Sequence, residues 1–198
     1  MVAENQRERL MSGIITAVSE HGYGATTIAD ITKASGLSRR TFYEHFANKE
    51  ACFSAAYEAS SEYIREAIVA AAGSQEEWPQ QVRAGLDGLL ASLAANPDLA
   101  SFFLIAPASA GDEIADRHHL EMRKLVLTLV AGATEKDAAA EQSETKERAL
   151  AGGISRLIVG KLNAGEAESL GDLLPALVEL VLRPYLGGEE AVKIAGEG

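Results

Sequence analysis

Arg39 and Arg40 stand side by side, and Thr41, Tyr43, His45 and Lys49 follow within the next nine positions. Each of these side chains can donate a hydrogen bond to oxygen. A guanidinium fork matches a guanine edge or a phosphate, and threonine offers both a hydroxyl and a methyl. Tyr43 and His45 can donate to backbone phosphate oxygens. Lys49 falls where a helix is expected to start, and exposed N–H groups there already favour an anion. The chemistry is recognition of a polyanion. No nucleophile–base spacing, phosphate-cradling loop or metal-ligand motif accompanies it, so no catalytic residue, metal or cofactor is expected.

The elements that must hold these residues are helical, because apolar residues recur at three and four rather than at two. Leu10, Ile14 and Val18 form a first stripe, ended by Gly22 and Gly24. Thr27 and Asp30 have capping-box spacing at the start of a second helix, which buries Ile28 and Ile31. Gly36, free to take positive φ, makes a sharp turn. Ser38 then caps a short third helix through Glu44, pinned inward by Leu37, Phe42 and Phe46. Asn48 caps a long fourth helix, about 49–72, with Phe53, Tyr57, Ile64 and Ile68 on its stripe. Two short capped helices at a glycine turn describe a helix-turn-helix, whose second helix enters a major groove. On caps and spacing alone, two ordinary surface helices of a bundle remain an alternative.

The run Thr26-Thr27-Ile28-Ala29-Asp30-Ile31, then Ala34-Ser35-Gly36-Leu37-Ser38-Arg39-Arg40-Thr41-Phe42-Tyr43-Glu44-His45-Phe46-Ala47-Asn48-Lys49-Glu50, resembles the DNA-binding head of TetR-family regulators. The resemblance covers residues 8–55 without a gap. It implies an all-α homodimer with a three-helix head, a long linking fourth helix and a six-helix C-terminal domain. It also implies a repressor released from a palindromic operator by a small ligand. Carried over, Thr27, Arg39, Arg40, Thr41, Tyr43, His45 and Lys49 occupy DNA-facing positions, and Ser38 is placed to reach a phosphate. No basic arm precedes the first helix, so little minor-groove contact is expected beyond Arg7 or Arg9. The domains are then 1–48 for DNA binding, 49–187 for ligand binding and dimerisation, and 188–198 as a flexible tail.

Beyond residue 55 no family motif is present. A possible capping box, Ser74 with Glu77, precedes a helix to about Ala95, although Pro79 fits better in a first turn. A short helix spans about 98–105, and another begins at Asp112. Residues 133–146 are polar, a loop or a frayed helix end. Two last helices cover about 147–163 and 170–186, for about nine in all. The last one is apolar nearly all round, through Leu173, Leu174, Ala176, Leu177, Val178, Leu180, Val181 and Leu182, so it needs cover on two sides. The helix before it carries Gly152, Gly153 and Gly160, which permit close approach. Gly152, Gly153, Leu177 and Val181 are therefore assigned to a four-helix dimer interface; a wholly intramolecular core is the alternative.

His118 and Met122 share the stripe of Ile114, Leu125, Val126 and Leu129. With Tyr57, Trp78, Phe102 and Phe103 they are the candidate ligand contacts, although the same pattern suits a satisfied histidine and an aromatic core. His118 and His119 are adjacent and cannot chelate one metal from one helix face.

Of 198 residues, 47% are apolar and 24% charged, with 29 acidic against 18 basic, a net charge of −11. That balance excludes an indiscriminate polyanion binder. Residues 1–53 are neutral, so the whole excess lies in the body. One cysteine, Cys52, suits a reducing cytosol. No apolar leader or spanning stretch is present, so a cytoplasmic protein with no membrane partner is expected. The reading is a ligand-responsive DNA-binding repressor with double-stranded operator DNA, a small apolar or amphipathic effector and a second copy as partners. The alternatives are a ligand-independent or activating regulator of this fold, a helical metal-dependent enzyme using His118 and His119, and a non-DNA interaction module.

Overall fold

The computed structural model describes residues 2–132 and 144–196. Among these, all regular structure is helical: α1 (Val2–His21), α2 (Ile28–Ser35), α3 (Arg39–His45), α4 (Lys49–Ala72), α5 (Trp78–Ala95), α6 (Pro97–Leu104), α7 (Asp112–Val130), α8 (Glu144–Asn163), α9 (Leu174–Leu186) and α10 (Gly188–Ala195). Short 3-10 segments occupy Ala106–Ser109 and Ala167–Leu173. No helix among the described residues is long and apolar enough to cross a membrane. Of the polar stretch 133–146, residues 133–143 lie outside the described ones, and 144–146 already belong to α8.

The chain divides into two compact units. One holds Met1–Glu62 and Asp98–Arg117, the other Tyr63–Pro97 and His118–Gly198. The division therefore falls inside α4 and α7, not at residue 48. The reason on the first side is aromatic. Phe53 and Tyr57 of α4 pack on Phe102 and Phe103 of α6, with Phe53–Phe102 at 4.6 Å and Tyr57–Phe103 stacked at 5.0 Å. All four rings are almost completely buried.

In the first unit Leu10, Ile14 and Val18 of α1 are buried with Ile31, Phe42 and Phe46. Gly13 lets α1 and α2 touch, since a Cβ there would stand 2.7 Å from the Ile31 carbonyl oxygen. In the second unit α5 buries Val82, Leu86, Leu90 and Leu93, and α9 buries Leu177, Val178, Val181 and Leu182. The Trp78 indole N–H donates to the Leu129 carbonyl at 3.2 Å, joining the start of α5 to the end of α7.

Three expectations are corrected here. Ser74 and Glu77 form no capping box: the Ser74 hydroxyl donates back to Ala71 O at 2.8 Å, while Glu77 starts α5 without a side-chain cap. Pro79 sits in the first turn, where its missing N–H costs nothing. The last long helix begins at Leu174, because residues 167–173 coil more tightly. The stretch from Gly188 is not a flexible tail through its described part. It forms α10, whose Ala191, Ile194 and Ala195 recur at helical spacing and are buried. Arg83 Nη1 donates to the Ala195 carbonyl at 3.1 Å and ties its end to α5.

Candidate nucleic-acid interface

Thr27 caps α2 with extended backbone angles, and the reciprocal box with Asp30 is complete. The Asp30 amide donates to Thr27 Oγ1 at 3.3 Å, and the Thr27 amide donates to Asp30 Oδ2 at 2.9 Å. The Thr27 hydroxyl also donates to that carboxylate, at 2.6 Å. These bonds hold the Asp30 carboxyl below its ordinary range, the hydroxyl contributing most. At the other end Gly36 takes φ +65°. Its amide donates to Lys33 O and that of Leu37 to Thr32 O, so the helix closes in a Schellman turn.

Ser38 then caps α3, accepting from the Thr41 amide at 3.0 Å. Its hydroxyl also meets Thr41 Oγ1 at 2.9 Å. Phe42 is fully buried and Phe46 nearly so, which fixes the rotation of α3. That rotation leaves Arg39, Arg40 and Tyr43 exposed, with Thr41 and His45 half-buried. Tyr43 is 53% exposed although its ring edge rests on Phe42. Arg40 carries only a solvated pair with Glu44, at 3.1 Å. Such a pair is worth little and yields readily to a phosphate. Thr27 and Ser38 are also exposed.

Lys49 is held differently. Its ammonium donates to Tyr23 O at 2.7 Å and Thr26 O at 2.9 Å, and lies 4.1 Å from the centre of the Tyr23 ring. Burial lowers its proton affinity. Two of its three N–H bonds therefore fasten the start of α4 to the α1–α2 connection, leaving one for an anion. Arg7 and Arg9 also bond within the head. Arg9 donates to Ser35 O at 2.8 Å, beside the turn, and Arg7 donates to His45 O while covering the Phe46 ring at 4.5 Å. His45 Nε2 lies 3.4 Å from Gln6 Oε1. Sequence reasoning missed these roles, since carbonyl acceptors leave no mark in residue types. Thr26 was missed for the same reason: it is buried, its hydroxyl shared between Gly22 O and Ala17 O.

A profile described as bacterial regulatory proteins, tetR family, matches residues 10–56, the segment just built. That segment is thus similar to the DNA-binding head of TetR-family regulators. The HTH-type transcriptional regulator YxbF of Bacillus subtilis is 32% identical over 92 residues, covering 46% of this chain and 24% of that protein's length. The chain thus matches about a quarter of that relative. Among solved structures, the fatty acid degradation regulator FadR of Bacillus halodurans superposes with a TM-score of 0.78 at 17% identity, covering 89% of this chain and 94% of that one. FadR of Bacillus subtilis, solved in complex with stearoyl-CoA, gives 0.73 at 15% identity, covering 91% and 98%. Likeness at such identities is likeness of fold: all-α, an N-terminal helix-turn-helix followed by a helical C-terminal part.

The remaining candidate residues fall into separate groups. Tyr57, Phe102 and Phe103 sit in the closed ring cluster of the first unit. Trp78 packs edge-on against Tyr185 at 5.4 Å in the second. His118 and Met122 together line a cleft of about 260 Å³. Of the interface candidates, Gly152 is exposed, and Gly153 faces Leu180, which a Cβ would approach to 2.9 Å. Leu177 and Val181 are fully buried within their own chain. They belong to the inner face of α9. Its outer face presents Ala176, Leu180, Arg183 and Pro184, which with Ala149, Leu150 and Leu157 of α8 border an open groove of about 530 Å³.

Proposed function

We propose that this protein is a ligand-responsive transcriptional regulator that binds a palindromic DNA operator as a homodimer in the cytoplasm and represses until a small apolar or amphipathic effector releases it. The observation that carries this reading is the pinned rotation of α3. Two buried phenylalanines and the Ser38 cap hold a short helix whose outward residues are Arg39, Arg40 and Tyr43. In that pose Arg39, Arg40 and Thr41 address base edges, while Thr27, Ser38, Tyr43, His45 and the remaining N–H of Lys49 address phosphates.

Dimerisation is supported by the outer face of α8 and α9. Leu157 is 39% exposed there, beside Ala149, Ala176 and Pro184. A second copy covering this groove would form a four-helix interface and set two heads about 34 Å apart, one turn of DNA. The effector class is supported by two neighbours of the same fold, one a fatty acid degradation regulator and one holding stearoyl-CoA. Release follows if the effector favours a dimer whose heads no longer match successive grooves.

The deciding experiment is selection of DNA from a random pool by the full chain, repeated with long-chain acyl thioesters. A palindromic sequence recovered without ligand and lost with it is the expected result. Recovery of no sequence preference overturns the DNA reading. An operator unaffected by any acyl ligand overturns the effector class alone.

A further inference from the structure

The cleft of about 260 Å³ between α7 and α8 is lined by His118, His119, Met122, Arg148, Ala151, Gly152 and Ser155. Every charged or titratable group in that lining is nitrogenous, and no carboxylate is among them. The absence is notable in a chain with 29 acidic residues against 18 basic. Of the other main cavities among the described residues, one sets Arg83 against Asp87, another sets Lys146 and Arg183 against Glu179, and the third has no charged lining.

Glu147 of α8 is buried and accepts from Arg123 Nε at 2.5 Å. Arg183 likewise pairs with Glu179, and Arg117 with Glu58. Arg148 has no ion-pair partner among the described residues. Gly152, one turn further along α8, has no atom within 4 Å of where a Cβ would stand, so the mouth of the cleft stays open. Ser155 completes the wall with a hydroxyl. Burial, with the adjacent His119 adding to it, keeps His118 neutral.

We infer that this cleft is a binding site for a phosphate group, with the exposed Arg148 as its cation and Ser155, His118 and His119 as donors around it. A guanidinium offers a planar fork that matches phosphate oxygens, and a hydroxyl with two imidazoles can meet the remaining ones. The volume accommodates one or two phosphate groups, so a larger ligand would leave its other parts outside. Met122 and Ala151 form an apolar floor that excludes water from one side and strengthens the ionic contacts. The site is additional to the regulator reading, and its occupancy is measured without DNA.

The test is calorimetric titration of the full chain with pyrophosphate, inorganic phosphate and adenosine diphosphate in turn. Saturable binding of pyrophosphate at one site per chain is expected. Arg148→Ala should weaken it at least ten-fold, and Ser155→Asp, which puts a carboxylate into the cleft, should abolish it. Arg156→Ala removes an exposed arginine of the same helix that does not line the cleft, and it should leave binding unchanged. Adenosine diphosphate binding more tightly than pyrophosphate would assign the site to the phosphate of a larger molecule. Equal or weaker binding would assign it to a free phosphate. Binding that does not saturate, or that falls equally in the Arg148 and Arg156 variants, reflects general charge screening and overturns the proposal. Circular dichroism of each variant establishes that lost binding is not lost folding. A failed operator selection would leave this result intact, and the reverse also holds.

Discussion

The ammonium of Lys49 donates to the main-chain oxygen of Tyr23 at 2.7 Å and lies 4.1 Å from the centre of the same residue's ring. One side chain thus engages both the backbone and the aromatic face of a residue in the turn that follows α1. The Tyr23 ring in turn meets Phe53 edge-on at 4.9 Å, so the head and the start of α4 share one contact chain. Burial, with the nearby Glu50 adding to it, raises the Tyr23 hydroxyl above its ordinary value.

Lys49→Met should therefore destabilise the first unit even without DNA. It removes two charge-assisted hydrogen bonds and a cation–π contact at a half-buried site, a loss of about 1–2 kcal/mol. For a chain of this length that lowers Tm by about 3–6 °C. A thermal melt of the free protein measures it. An unchanged melt with weakened operator binding would make Lys49 a phosphate contact alone.

Arg40→Ala with Tyr43→Ala should behave in the opposite way. Both side chains are exposed and carry no buried bond, so the melt should stay within about 1 °C of the parent. Operator affinity should fall by a factor on the order of 100, the loss of a base contact and a phosphate contact. Three cations per head, Arg39, Arg40 and Lys49, make six in a dimer and set a log–log salt slope of roughly −5. Fluorescence anisotropy on the selected operator between low and moderate salt gives both numbers. A flat salt response contradicts the assignment.

The two faces of α9 separate assembly from folding. Leu180→Glu places a charge on the outer face and should convert a dimer to a monomer in sedimentation, with the helical spectrum retained. Leu177→Ala, on the fully buried inner face, should cost about 2–5 kcal/mol of stability. If Leu180→Glu leaves the dimer intact, the interface lies elsewhere.

His118 makes stability depend on pH. Its folded value, pushed down to about 4 chiefly by burial, lies below the ordinary imidazole value of 6.5. Between these values the unfolded chain binds the proton and the folded chain does not, so protonation favours unfolding. Stability is full above pH 6.5 and is lost as pH falls toward 4, by about 2–3 kcal/mol from this group. His118→Gln should flatten the dependence in that window, read by denaturant melts at stepped pH. An NMR titration in which His118 shifts near pH 6.5 would contradict the burial argument.

Local chemistry determined most of the head from the sequence alone. The Thr27–Asp30 box, the Gly36 turn and the Ser38 and Asn48 caps each involve residues within five positions of one another, and all formed where the residue types put them. The exposure of Arg39, Arg40 and Tyr43 followed from the phenylalanines at 42 and 46, because helical periodicity leaves those residues no other face. The all-α class and the apolar character of α9 were legible for the same reason.

Tertiary structure alone decided what long-range partners each group would take. Lys49, Arg7 and Arg9 look like free cations in the sequence, yet each bonds to a backbone oxygen between 23 and 38 positions away. Every residue carries such an oxygen, so composition cannot single out which one is met. The same limit hid which flank of α9 turns inward, since its leucines and valines occur all round the helix and a period needs polar gaps to be read. Burial of α10 likewise depended on a surface offered by α9 and α5, not on its own eight residues. The basic lining of the α7–α8 cleft came last, because it joins His118 and His119 of α7 to Arg148 of α8, residues 29 or more positions apart.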